Sequence, residues 1–190
     1  MDSRAVEAKF IKSINGSDPI LNEPLPQIAF VGRSNVGKSS LINSLLVQKL
    51  ARSSTRPGKT VLLDFFRVKN KVYFVDLPGY GYAKRSKERL DHFRRLIAWY
   101  LFSANVKHKL VVLIIDAYVG LTVQDHESLL LFTKNNLPYV VIANKVDKLK
   151  MGERVKKLAE IQKECGDVTI IPYSSYTGEG RDALMKIIFT

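Results

Sequence analysis

The sequence predicts an α/β fold with a mostly parallel sheet, and three observations predict it. Short apolar runs alternate with helical stretches from residue 27 onward, the pattern of successive βα units. Residues 27–46 read as a buried strand, a glycine-bearing loop and a helix with one apolar face. Lys69-Asn70 sits between two strand-like runs as a tight turn would, which makes that pair antiparallel. The expected sheet has about six strands, one of them antiparallel, with helices on both faces.

Taken in order, residues 1–25 read as an N-terminal extension and 26–190 as one domain. Val6, Ala8 and Phe10 alternate with Glu7 and Lys9 as in an edge strand, but Ile11 and Ile14 break the period and leave a helix open. Gly16, Pro19, Pro24 and Pro26 make a lead-in loop. A strand at 27–31 and a helix at 40–46 precede a loop over 52–60 that carries Arg52, Arg56 and Lys59. Strands are expected at 61–68 and 71–75, then a loop over 79–84. Ser86 would cap a helix ending near residue 103, with Leu90, Phe93, Ile97, Tyr100, Leu101 and Ala104 as its apolar stripe. Residues 110–115 read as a strand buried on both faces. Thr122 and Asp125 mark the start of a helix that buries Leu129, Leu130 and Phe132. A strand at 139–143 leads to a charged helix at 151–165, with Val155, Leu158 and Ala159 inward and Gly166 as its stop. The last strand is expected at 168–171 and the last helix at 178–189, with Leu184, Ile187 and Ile188 inward and an abbreviated C-terminal end.

A net charge of +12 over 190 residues argues for anionic partners, nucleic acid first and an acidic membrane surface second. Cys165 is the single cysteine, which excludes an internal disulfide and suits a reducing compartment. Residues 1–14 carry Asp2, Arg4, Glu7, Lys9 and Lys12 and lack the apolar core of a signal peptide. The longest apolar runs, 110–115 and 96–102, are too short to span a bilayer. The expectation is a cytoplasmic, monomeric protein with no transmembrane segment.

Gly32-Arg33-Ser34-Asn35-Val36-Gly37-Lys38-Ser39 fits the phosphate-binding pattern G-x-x-x-x-G-K-[ST], and Ser40 follows it into the helix. Gly32 and Gly37 let backbone amides approach a phosphate, Lys38 would reach the β- and γ-phosphates, and Ser39 would offer its hydroxyl to Mg²⁺. Downstream, an apolar strand ends in Asp76-Leu77-Pro78-Gly79. Asp76 can hold the same Mg²⁺, directly or through water, and Gly79 can give its N–H to a γ-phosphate. Asn144-Lys145-Val146-Asp147 follows a buried strand. The Asp147 carboxylate matches the adjacent N1–H and N2–H₂ donors of guanine and cannot be satisfied by adenine. The aliphatic stem of Lys145 can lie over the base plane. Backbone amides of Ser174-Ser175-Tyr176 are placed to reach the guanine O6. His92, His108 and His126 lack ligand spacing and are given no metal or catalytic role.

Together these residues resemble the translation-factor-class GTPases with a Ras-like P-loop fold, and within them the EngB/YsxC/YihA family of bacteria. The likeness is carried by Gly32-Arg33-Ser34-Asn35, by Thr55-Arg56-Pro57-Gly58-Lys59-Thr60 and by Asp76-Leu77-Pro78-Gly79-Tyr80-Gly81-Tyr82-Ala83, and runs from about residue 26 to the end. It implies a first switch containing Gly58, Lys59 and Thr60, with Thr60 closing on Mg²⁺, and a second switch over 76–84. Lys38, Thr60 and Gly79 would then be catalytic, and Ser39, Thr60 and Asp76 the metal set, Asp76 through water. The resemblance implies GTP and GDP as ligands, Mg²⁺ as cofactor, and K⁺ beside Asn35. It also implies a role in assembling the large ribosomal subunit or its rRNA precursor, with a link to cell division and septation. Tyr80 stands where many relatives place a water-orienting glutamine, so hydrolysis is expected to be slow. A rival reading stays open, a basic RNA- or septum-associated scaffold that holds guanine nucleotide without cycling. Arg52, Arg56 and Lys59, with Lys84, Arg85, Lys87 and Arg89, would form an RNA-facing patch, or a solvated face interleaved with Glu88 and Asp91.

Overall fold

In the computed structural model, residues 5–51, 62–80, 91, 95–104, 106 and 108–190 are described. Among these residues seven strands form one sheet: β1 (Ala8–Ile14), β2 (Gln27–Gly32), β3 (Leu63–Val68), β4 (Val72–Asp76), β5 (His108–Asp116), β6 (Tyr139–Asn144) and β7 (Ile170–Tyr173). Their spatial order is β1-β3-β4-β2-β5-β6-β7. Only β3 runs against the rest: it pairs antiparallel with β1 and β4, while β2 pairs parallel with β4 and β5, and β6 parallel with β5 and β7. The expected single antiparallel strand is thus present, in a sheet of seven strands rather than six.

The seventh strand is β1. A register shift between Phe10 and Lys12 explains why its period was unreadable. An inserted residue flips every later side chain to the other face. Ala8 packs with the core on one side of the sheet, and Ile14 with the core on the other, although both numbers are even. Lys69 and Asn70 take positive φ at the β3–β4 turn, as a two-residue hairpin demands.

Among the described residues the helices are α1 (Lys38–Leu46), α2 (Val123–Lys134), α3 (Met151–Cys165) and α4 (Arg181–Phe189), and residues 95–98 are helical and run into a π-helical segment at Trp99–Ser103. On one face of the sheet Leu41, Ile42, Leu45 and Leu46 of α1 and Leu184 and Ile188 of α4 meet Phe30, Phe74, Val112 and Ile142. On the other face Tyr100 and Leu101, Leu129 and Phe132 of α2, and Ile161 of α3 meet Val31, Val75, Leu113 and Val141. Among the described residues no helix is long and apolar enough to cross a membrane.

Several inward positions differ from expectation. Leu130 is exposed, because a helix that buries Leu129 and Phe132 turns residue 130 away. In α3, Val155 and Ala159 face solvent; the inner stripe runs through Leu158, Ile161 and Cys165. Ile187 is only partly covered. β7 begins two residues later than expected, and α4 three, since Gly178 and Gly180 both take positive φ. Of the expected helix from Ser86, residues 86–90 and 92–94 lie outside the described residues, as does Val61.

Candidate functional site

β2, β4, β5, β6 and β7 all present their carboxyl ends to one edge of the sheet, where α/β folds place ligands. Four motifs meet there. β2 ends at Gly32, and the loop turns through Asn35 at φ 69° and Gly37 at φ 97° into α1. Gly37 requires its missing Cβ twice over: the backbone is left-handed, and a methyl would sit 2.5 Å from the Asn144 amide nitrogen. Lys38 is the first residue of α1, so the loop delivers backbone amides and a helix N-terminus to the same place.

β4 ends at Asp76, which is buried. The Lys38 ammonium donates to Asp76 Oδ1, and the Ser39 hydroxyl donates to Asp76 Oδ2 at 3.1 Å. The expected phosphate lysine, metal hydroxyl and metal carboxylate are therefore neighbours. Leu77 is fully buried, with its N–H on the Phe30 carbonyl, so its side chain belongs to the core rather than to a ligand surface. Gly79 lies against the phosphate loop: a Cβ on it would meet the Ser34 nitrogen at 2.9 Å. The Ser34 hydroxyl donates to the Gly79 carbonyl at 3.1 Å, and the Ser34 N–H donates to the Tyr80 carbonyl at 2.7 Å.

Tyr80 does not aim at this site. Its phenol donates to Asp125 Oδ1 on α2 at 2.7 Å, while Asp125 Oδ2 accepts from both the N–H and the hydroxyl of Thr122. Burial, then the Asp125 charge, push the Tyr80 hydroxyl well above its ordinary pKa, so it stays protonated. One buried carboxylate thus caps α2 and anchors the residue after Gly79.

At the other end, Asn144 is buried with both ends of its amide engaged. Nδ2 donates to the Val36 carbonyl at 2.8 Å, and Oδ1 accepts from the Ser175 hydroxyl at 3.2 Å. It braces the phosphate loop against the loop after β7. Lys145, at φ 69°, sends its ammonium to the Asn35 carbonyl and to Asp116 Oδ2, each at 2.7 Å. Asp147 is exposed and accepts from the buried Ser174 hydroxyl at 2.6 Å. The Ser174 N–H is spent on the Glu179 carbonyl, and the Tyr176 N–H reaches Ser174 Oγ at 3.2 Å, so these two amides serve the loop itself. Tyr176 is 90% exposed. Arg33, Ser34, Val36 and Pro78 fall in the same loops, with Val36 buried, and Ser40 is an exposed residue in the first turn of α1. Gly58, Lys59 and Thr60 lie outside the described residues, as do Lys84, Arg85, Lys87 and Arg89.

Sequence reasoning missed Asp116. Its signal is faint: an acid closing an apolar strand, like Asp76, with Gly120 four residues on rather than three and no recognised motif around it.

A family model described as 50S ribosome-binding GTPase matches residues 27–145, and the elongation factor Tu GTP-binding domain matches 103–190. A probable GTP-binding protein EngB from Thermotoga petrophila is 46% identical over 167 residues, 86% of this chain and 85% of its own. One from Exiguobacterium sibiricum is 41% identical and covers 96% of each chain. The chain belongs to the EngB family of GTP-binding proteins. Among solved structures, a probable GTP-binding protein EngB superposes with a TM-score of 0.72 at 27% identity, over 86% of this chain and 96% of that one. Era in complex with MgGDPNP and a segment of 16S ribosomal RNA superposes with a TM-score of 0.65 at 28% identity, over 86% and 55%. The fold is Ras-like, guanine nucleotide is the ligand, and the chain is a GTPase.

Proposed function

We propose that this EngB-family GTPase is a Mg²⁺-dependent switch that hydrolyses GTP slowly and binds the large ribosomal subunit or its precursor in one nucleotide state. The observation that carries the nucleotide half is the convergence of Lys38, Ser39 and Asp76 at one end of the carboxyl edge, and of Lys145, Asp147 and Ser174 at the other. A hydroxyl and a carboxylate side by side are the hard oxygen donors Mg²⁺ takes, together with phosphate and water. Ser39 and Asp76 would hold the ion, with Thr60 completing the set; when bound it supplies positive charge to the β- and γ-oxygens.

Water attacks the γ-phosphorus and GDP leaves, so the protein's part is placement and charge neutralisation. Lys38, released from Asp76 by a competing phosphate, sits on the β- and γ-oxygens. The Gly79 N–H faces the γ-phosphate, and Asp147 reads guanine. With the Tyr80 phenol turned to Asp125, no side chain at that position orients the water, which is why turnover is slow. K⁺ near Asn35 would add charge there; turnover equal in sodium and potassium, or unchanged in Asn35→Ala, would remove that element.

The ribosomal half is supported by the name of the matching family model and by the chain's charge of +12. Co-sedimentation with purified large subunits should be tighter with a GTP analogue than with GDP or without nucleotide. Equal binding in all three states would favour a non-cycling scaffold, and no binding in any state would end the ribosomal reading.

A further inference from the structure

We infer that Asp116 is a positioning residue for the guanine nucleotide, acting through Lys145. Asp116 closes β5 directly beside Asn144 of β6, with the Ala117 N–H on the Asn144 carbonyl at 2.8 Å. Its two carboxylate oxygens do different things. Oδ1 accepts the Tyr118 N–H at 3.0 Å, in a turn whose Val119 and Gly120 N–H groups return to the Asp116 carbonyl. Oδ2 accepts the Lys145 ammonium at 2.7 Å. The turn holds the carboxylate in one orientation, and the carboxylate holds the ammonium.

The far side of that ammonium donates to the Asn35 carbonyl, and Asn144 donates to the next carbonyl, Val36. The Lys145 ammonium therefore bridges the end of β5 and the top of the phosphate loop, and the stem is held by both. A free lysine samples many rotamers, and fixing one costs entropy at the moment of binding. Two acceptors on one ammonium, one of them charged, fix the stem before the ligand arrives. Asp147 chooses the base; Asp116 prepares the surface on which the base lies.

The inference rests on Lys145 and Asp147 forming the base site. It is tested by titrating a fluorescent GDP into the parent chain, Asp116→Ala, Lys145→Met and the double variant. Asp116→Ala should bind about ten- to a hundredfold more weakly, as expected for losing a charge-assisted hydrogen bond. Lys145→Met keeps the stem and removes the ammonium, so adding Asp116→Ala to it should weaken GDP no further. Asp116→Asn, which keeps one acceptor, should fall between parent and alanine. Unliganded melting temperatures measured alongside should move far less than the affinities. Additive losses in the double variant, an Asp116→Ala chain that binds GDP like the parent, or affinity losses that simply follow the melting temperatures, would overturn the role. A parent chain that binds no GDP would instead sink the base site itself and this role with it.

Discussion

Asp147 keeps one oxygen on the Ser174 hydroxyl and remains exposed, so most of its acceptor capacity faces outward. Asp147→Asn should weaken GDP by about a hundredfold, because an amide presents one acceptor and one donor to two guanine donors. Xanthosine diphosphate, whose C2 oxygen suits that amide, should gain; equal titrations of the two nucleotides in both chains would contradict the assignment. Cys165 gives a second residue-scale test. Burial, then the charges of Glu164 and Asp125, push its thiol up to about 11. The thiol is therefore protonated at pH 8 and should alkylate about a hundredfold more slowly than a free cysteine. Its rate should climb through pH 10; a plateau near pH 9 would show an ordinary thiol. At this scale the sequence was legible where spacing encodes chemistry, as from Gly32 to Ser39 and from Asn144 to Asp147. It was silent where the partner is distant. Asp116 meets Lys145 across 29 positions and Tyr80 meets Asp125 across 45, and no local pattern announces either pair.

At the scale of elements, strands buried on both faces were read well, because short apolar runs bounded by turn signals suit a strand whose two faces are both covered. Boundaries slipped where backbone geometry overrides composition: the irregular register in β1, and the two left-handed glycines ahead of α4. Gly180 takes φ 81°, and a Cβ there would lie 2.3 Å from the Pro172 carbonyl and 3.0 Å from the Tyr173 ring. Gly180→Ala should therefore cost about 1–3 kcal/mol, as both the turn and the packing of α4 on β7 are strained. Gly152 is the control. It lies inside α3 with nothing within 4 Å of an added Cβ and no positive φ. Gly152→Ala should stabilise by about 0.5–1 kcal/mol, through helix propensity alone. Urea unfolding of the two variants should shift in opposite directions; a shared direction would mean that the Gly180 turn carries no strain or that Gly152 does not sit in a regular helix.

For the whole molecule the organising fact is that the parallel strands end on one edge, so the sheet order brings the 32–39 loop and the 144–147 segment, over a hundred residues apart, to the same side. Charge operates at the same scale. The net +12 is long-ranged at low salt and acts on any anionic partner before a single contact forms. What the sequence adds is a concentration of that charge at Lys84, Arg85 and Lys87, a few residues after Asp76-Leu77-Pro78-Gly79. Replacing these three with alanine lowers the net charge from +12 to +9 and touches none of the nucleotide motifs. GDP and GTP-analogue affinities should stay within about twofold of the parent, since Lys38, Asp76 and Asp147 keep their partners. Binding to the large subunit should weaken, and the slope of log affinity against log salt should fall by about 2–3, near one per phosphate contact removed. An unchanged slope with weakened binding would mean that the three side chains act through local structure rather than on RNA phosphates. Unchanged binding across the salt range would make the stretch an ordinary solvated surface and move the partner interface elsewhere on the chain.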